Sequence, residues 1–277
     1  YKFDFSSQFL KDRSLRLFIS AGSYLFSPFM KRGLNDDLLN ILYTLGTKKE
    51  RYAYYDFNGY SIGLQKTIIP QITFGLNYFQ AKRNSVNVNS DYSLVKRSNA
   101  YDVNPKINDD FRRSVGFSLK IDPNKYRAID WGDGDYSRFR ITEFPYLVFN
   151  YDNASKNILQ STYDNRRYSV SIFGSNNFAP RIKPTYKIGL KFIDGVVPYQ
   201  DLLSFDIFKS ANDMMTFAAM DYNEFGGNQL YYINIENNFG KFFPRNFPLL
   251  NSIDFIGFFN AGRSVMTDDV KRFQPNN

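Results

Sequence analysis

Apolar and polar side chains alternate along most of this chain. From Gln229, residues Tyr231, Ile233, Ile235 and Phe239 fall on one side and Asn234, Glu236 and Asn238 on the other. That period of two marks a strand whose faces meet different solvents. A connection over Lys241 to Leu250, with Pro244 and Pro248, leads to a second strand with Ile253, Phe255, Phe259 and Ala261 on its apolar side and a mixed opposite side. Upstream, Phe3, Phe5 and Phe9 alternate with polar neighbours. After a turn at Lys11 to Arg13, so do Leu15, Leu17, Ile19 and Ala21, predicting a hairpin. The pattern repeats at Ile72, Phe74, Leu76 and Tyr78, and again at Val115, Phe117, Leu119 and Ile121. Tyr168, Val170 and Ile172 form another set, as do Tyr186, Ile188, Leu190 and Phe192. Arg51 to Leu64 reads as a strand whose apolar phase slips near Gly59, as a bulge would cause. Tyr136 to Tyr151 reads as one strand interrupted by Pro145. The polar stretch from Lys82 to Arg113 is expected to be a surface loop, with room for its own hairpin. Leu38 to Leu45 is either a short helix capped from Asn35-Asp36-Asp37 or part of a long loop. The total is ten strands.

The spacing of these strands adds an independent signal. Odd connections fall near residues 11–13, 65–70, 123–135, 175–184 and 240–251, and even ones near 27–50, 83–111, 152–162 and 194–228. The odd set is mostly short and the even set long, with 123–135 the exception, as in outer-membrane barrels with short periplasmic turns and long outer loops. No run approaches the roughly 18–20 apolar residues of a spanning helix. Any membrane crossing must then be made by strands, and in lipid only a closed barrel satisfies their backbone groups. The expected fold is all-β, an antiparallel transmembrane β-barrel occupying residues 1–277 without a second domain. A soluble all-β fold is the alternative.

Composition sharpens this picture more by exclusion than by assertion. Only 43% of residues are hydrophobic, yet 18% are aromatic, with 29 Phe, 21 Tyr and one Trp. Such an excess suits aromatic girdles at a membrane interface and is also compatible with an aromatic-rich sandwich. The chain has no Cys and no His. Disulfides, thiol chemistry, His-dependent triads and most transition-metal sites are therefore excluded, so neither an enzyme nor a cofactor is expected. The net charge of +8 is spread without a dense cluster, which points away from nucleic acid and toward an anionic lipid surface. Asp130-Trp131-Gly132-Asp133-Gly134-Asp135 gathers three carboxylates that could hold calcium but does not match an EF-hand; a solvated turn is the simpler reading. Lys187, Lys191, Glu236 and Asn238 are expected to line a polar interior.

Phe225-Gly226-Gly227-Asn228 opens a strand. A proline-containing turn and a strand ending Phe258-Phe259-Asn260-Ala261-Gly262 follow. This arrangement resembles the outer-membrane protein assembly factor superfamily, of which the BamA insertase is one member. Val197-Pro198-Tyr199-Gln200-Asp201-Leu202-Leu203 and Phe217 to Phe225 look like a Bacteroidota branch of unknown function. Members of that branch often carry a carboxypeptidase-regulatory-like domain before the barrel. The resemblance implies a larger barrel of about 16 strands, whose closing strands would lie outside this chain. It also implies a place in the bacterial outer membrane and a role in inserting or assembling outer-membrane proteins, alone or within an assembly complex. A passive channel or transporter is the alternative. Insertases of the superfamily place an Arg-Gly-aromatic tripeptide from a long outer loop against an Asp of the barrel. Here no Arg occurs from Ile182 to Pro244, and the position matching that Asp is Asn260. The loop from Gly195 to Phe225 is still expected to fold inward, because Met214, Met215, Phe217 and Met220 are too apolar for a freely solvated loop. Packing on its own residues or on a partner is the other possibility.

Overall fold

A computed structural model describes residues 1–9, 14–26, 42, 44–46, 54–87, 104, 106–130, 136–179, 182–205, 217, 226–241 and 254–271. In chain order the strands are β1 (Lys2–Phe9), β2 (Leu15–Phe26), β3 (Tyr55–Ile69), β4 (Ile72–Ser85), β5 (Asp110–Ile121), β6 (Tyr126–Asp130) and β7 (Tyr136–Arg140). They continue with β8 (Tyr146–Ala154), β9 (Asn165–Ser175), β10 (Thr185–Gly195), β11 (Leu203–Ser204), β12 (Gly226–Gly227), β13 (Gln229–Lys241) and β14 (Asp254–Val265). Two single-turn helices, α1 (Lys156–Leu159) and α2 (Asp268–Lys271), and a 3-10 turn (Tyr199–Asp201) accompany them, and residues 42 and 44–46 are also helical. No helix among the described residues is long and apolar enough to cross a membrane.

Ten strands form one antiparallel sheet in the order β1-β2-β3-β4-β5-β8-β9-β10-β13-β14. Each pairs with its predecessor in that order, so the sheet is an up-and-down meander with β1 and β14 at its edges, and among the described residues it is not closed. Its register sorts the side chains onto two faces. One row runs Phe5, Ile19, Ile62, Tyr78, Val115. A second runs Leu17, Leu64, Leu76, Phe117, Tyr151, Tyr168, Phe192, and a third Ile72, Ile121, Leu147, Ile172, Ile188, Ile233, Ala261. The second row carries a ladder of rings, with Phe117–Tyr151 centroids 5.5 Å apart, Tyr151–Tyr168 5.1 Å and Tyr168–Phe192 6.1 Å. Nothing among the described residues covers this apolar face. Tyr60, Ile62, Leu64, Leu76, Ile188 and Leu190 are all exposed on it. We call it the bare face. The opposite face presents Ser20, Asn77, Ser118, Asn150, Ser171, Lys187 and Asn234, and near the even connections it is covered by the chain itself.

Several sequence expectations change at this point. No bulge occurs at Gly59: β3 keeps one register with both neighbours through that residue, and its shift lies between Thr67 and Ile69. The apolar phase slips because the faces exchange environments. Tyr55 and Phe57 lie on the covered face and are buried with Ala81 and Ile107, whereas Tyr60, Ile62 and Leu64 lie on the bare face. The expected loop from Lys82 to Arg113 is shorter, since β4 runs to Ser85 and β5 starts at Asp110. Tyr136 to Tyr151 is not one strand. Its first part, β7, pairs with β6 as a separate hairpin, and Pro145 precedes β8. That hairpin accounts for the one odd connection that is long. Its base is pinned by Asp122, which accepts hydrogen bonds from Tyr126 Oη (2.6 Å) and Asn124 Nδ2 (2.7 Å) and pairs with Lys120 and Arg140. The turn at 11–13, Asn35-Asp36-Asp37, Pro244, Pro248 and Ile253 lie outside the described residues, as does all of Asp130–Asp135 except the Asp130 backbone. Of Leu38 to Leu45, Leu42, Thr44 and Leu45 are described, and they are helical.

Candidate functional site

The covered face owes its burial to the segment that leaves β10. Gly195 has φ +95°, and a Cβ there would lie 2.4 Å from the Asp164 carbonyl oxygen, so only glycine lets the chain turn this close to the start of β9. The turn is tied down by Val196 N–H to Asp164 O (3.0 Å) and by Asn165 Nδ2 to Val196 O (3.1 Å). Val197 then packs on Ile193 and on Val270 of α2. Pro198, which has no N–H to leave unpaired, starts the 3-10 turn, closed by Asp201 N–H to Pro198 O at 2.9 Å. Tyr199 packs against the Tyr55–Phe57 cluster, and Gln200 Nε2 donates to Asn108 O (3.0 Å).

This path delivers Asp201 into a nest of arginines. Its Oδ1 lies 2.5 Å from Arg83 Nη1 and 2.6 Å from Arg167 Nη2, and its Oδ2 accepts from Arg112 Nη1 at 2.9 Å. Arg83 also grips Asp110 through two bonds, one from Nε to Oδ1 at 2.7 Å. Arg112 reaches Asp152 and donates to Asn165 Oδ1 (3.0 Å). Three guanidinium groups and three carboxylates therefore meet on strands β4, β5, β8 and β9 and the loop, and their charges cancel. The Asp201 side chain is 3% exposed, and those of Arg83 and Arg112 are 4% and 6% exposed. Burial alone would push the Asp201 carboxyl up, but Arg167, Arg83 and Arg112 outweigh it and hold the group well below the usual carboxylate range. Arg167 is the loosest member. Its side chain is 30% exposed, its Nη2 pairs with Asp201, and its Nε makes no hydrogen bond.

Further along, the loop returns to the sheet. Leu203–Ser204 pairs with Gly226–Gly227, and Phe205 and Phe217, their rings tilted by 40° with centroids 4.5 Å apart, pack on buried Leu230 and Tyr232. Gly262 is where these rings close on β14. A Cβ there would lie 2.5 Å from the Phe205 ring and 3.0 Å from that of Phe217. Asn228 stitches three strand ends together. Its N–H donates to Val265 O (3.0 Å), its carbonyl accepts from Ile193 N–H (2.8 Å), its Nδ2 donates to Ile193 O (3.4 Å) and its Oδ1 accepts from Thr267 N–H (3.0 Å). Asn260 faces Asn234, whose Nδ2 donates to Asn260 Oδ1 at 3.0 Å.

Of the residues singled out from sequence, Gly226, Gly227, Asn228, Gly262 and Phe217 are brought together around the loop's return. Phe259 and Ala261 lie on the bare face, and Phe258, on the other face of β14, is exposed. Phe225, Met214, Met215 and Met220 lie outside the described residues. Lys187 and Lys191 lie on the polar face, with the Lys187 ammonium 5.3 Å from the Tyr232 ring centre. The arginine nest was not legible: Arg83, Asp110 and Arg112 fell in the expected loop, and Asp201 stood out only within a motif.

A family model described as "Family of unknown function (DUF5686) C-terminal domain" matches residues 1–262. The chain belongs to this family. The match spans every strand of the ten-stranded sheet, stopping within β14, and takes in the latched loop. No curated protein matches the chain. Within this DUF5686 C-terminal domain, the loop after β10 is held on the sheet by charge. The loop supplies the aspartate and the strands supply the arginines.

Proposed function

We propose that the sheet is part of a transmembrane β-barrel of the bacterial outer membrane, with its bare face in lipid, and that it serves the insertion or assembly of outer-membrane proteins. The observation that carries this reading is the sorting of faces. Apolar rows run across the strands on one face, while the other is polar and folds its own loop onto itself. A soluble sheet would bury such a face against a second layer. Aliphatic rows running beside a row of aromatic rings have the composition of a lipid-facing band bordered by an aromatic girdle. The resemblance to assembly factors supports the functional half, as does a loop held inside by buried charge. The working chemistry is templating: an exposed strand edge offers N–H and C=O groups to an incoming strand, so that its backbone is paired as it enters lipid. Partners would be lipid and other outer-membrane or periplasmic proteins of an assembly complex.

A passive channel is the second reading, favoured by the polar lining at Lys187, Lys191 and Asn234. Quantitative outer-membrane proteomics after depletion of the protein in its native host separates the two. The assembly role predicts that many unrelated barrels or surface lipoproteins fall together. An unchanged outer membrane with a defect in one solute's uptake would overturn it in favour of the channel.

A further inference from the structure

We propose that the cavity between the latched loop and strands β2–β4 binds one neutral, polyhydroxylated ring of the pyranose type. The cavity measures about 290 Å³. Ligand pockets run from roughly 300 to 1,000 Å³, so this one suits a single ring and not a chain. Its floor is aromatic, from Tyr24, Phe26, Phe57 and Phe79, with Tyr24 and Phe57 centroids 5.0 Å apart. Arg167 and Gln200 line the same space. Gln200 is 4% exposed, and its Oε1 is buried without a hydrogen-bond partner; Arg167 Nε is likewise buried without one, while Arg167 Nη2 is ion-paired with Asp201.

These features select the ligand by elimination. A purely apolar ring would seal an unpaired acceptor and an unpaired donor away from water, which is costly. An anion would meet no surplus of positive charge, since the three guanidinium groups are matched by Asp110, Asp152 and Asp201. A hydroxyl both donates and accepts, so a ring bearing several can satisfy Gln200 Oε1 and Arg167 Nε–H together. The C–H face of a pyranose supplies the flat apolar surface that the aromatic floor needs.

Saturation-transfer NMR on the folded chain in detergent micelles tests this, with methyl β-glucopyranoside as probe and benzoate and toluene as competitors. The expected result is transfer to the glucoside ring protons, insensitive to both competitors. Gln200→Met and Arg167→Lys, each close in size to the original, should each weaken it at least tenfold. Circular dichroism establishes that each variant is folded, and the second variant stands if the first is not. Absence of transfer to the glucoside, displacement by benzoate or toluene, or wild-type binding in a folded variant would overturn the proposal.

Discussion

Asp201→Asn should undo the latch without changing its shape. The substitution keeps the side-chain volume and removes the one charge that three guanidinium groups share. Arg83 keeps Asp110 and Arg112 keeps Asp152, but Arg167 loses its carboxylate, and the nest goes from balanced to one positive charge in excess. Breaking a buried ion pair by removing one partner costs about 3–5 kcal/mol. The surviving pairs and the roughly 30% exposure of the Arg167 side chain place this case near the lower end. At about 2–4 °C per kcal/mol for a chain of this size, thermal unfolding in detergent should come about 6–12 °C earlier. Because the loop can lift to let water reach the arginines, proteolysis within 195–205 should accelerate before global unfolding. Arg167→Met placed on Asp201→Asn should recover part of the loss, since it removes the excess charge. A melting temperature within a degree of wild type, with unchanged loop proteolysis, would refute the reasoning.

The remaining expectations concern the same loop and the β6–β7 hairpin. Gly262→Val puts methyl groups where the Phe205 ring stands, so the Phe205–Phe217 pair must lift and the loop's return become protease-sensitive, with about 1–3 kcal/mol lost in a melt. Asp122→Asn weakens the charge-assisted bonds from Tyr126, Lys120 and Arg140, so amide exchange should quicken in β6 and β7 while the main sheet is unaffected. The pH dependence follows from Asp201 and Asp122. Burial would raise the Asp122 carboxyl, but the Tyr126 hydroxyl, Asn124 amide and Lys120 ammonium lower it well below its ordinary range. Both folded-state values are depressed, so their stabilisation is complete above the unfolded value of about 4 and is lost as pH falls below it. Loop and hairpin protection measured by amide exchange should be level from pH 8 to 5 and decline only under stronger acid.

What the sequence made legible is what depends on period alone. The clean alternation of Ile72 to Tyr78 and of Tyr186 to Phe192 fixes strand identity and face, because each strand there meets the same two environments along its length. It misled where the environment changes within one strand. Tyr55 and Phe57 turn toward the loop and Tyr60, Ile62 and Leu64 away from it, which mimics a bulge in a one-dimensional pattern. Charged strand ends were misread for a related reason. Arg83, Asp110 and Arg112 look like solvated loop residues, and nothing local announces that Asp201, 118 positions from Arg83, will neutralise them. Gly226, Gly227, Asn228 and Gly262 were visible as a motif, yet their reason is spatial: backbone contact at the loop's return and room for two phenyl rings.

The central claim is that the bare face meets lipid. Spin labels placed singly at residues 186 to 192 of β10 test it, with the chain reconstituted in lipid vesicles and accessibility to oxygen and to a water-soluble nickel chelate compared. The account predicts alternation: labels at Tyr186, Ile188, Leu190 and Phe192 reached by oxygen and shielded from nickel, those at Lys187, Gly189 and Lys191 the reverse. Equal access to nickel on both sets would contradict it and return the sheet to water.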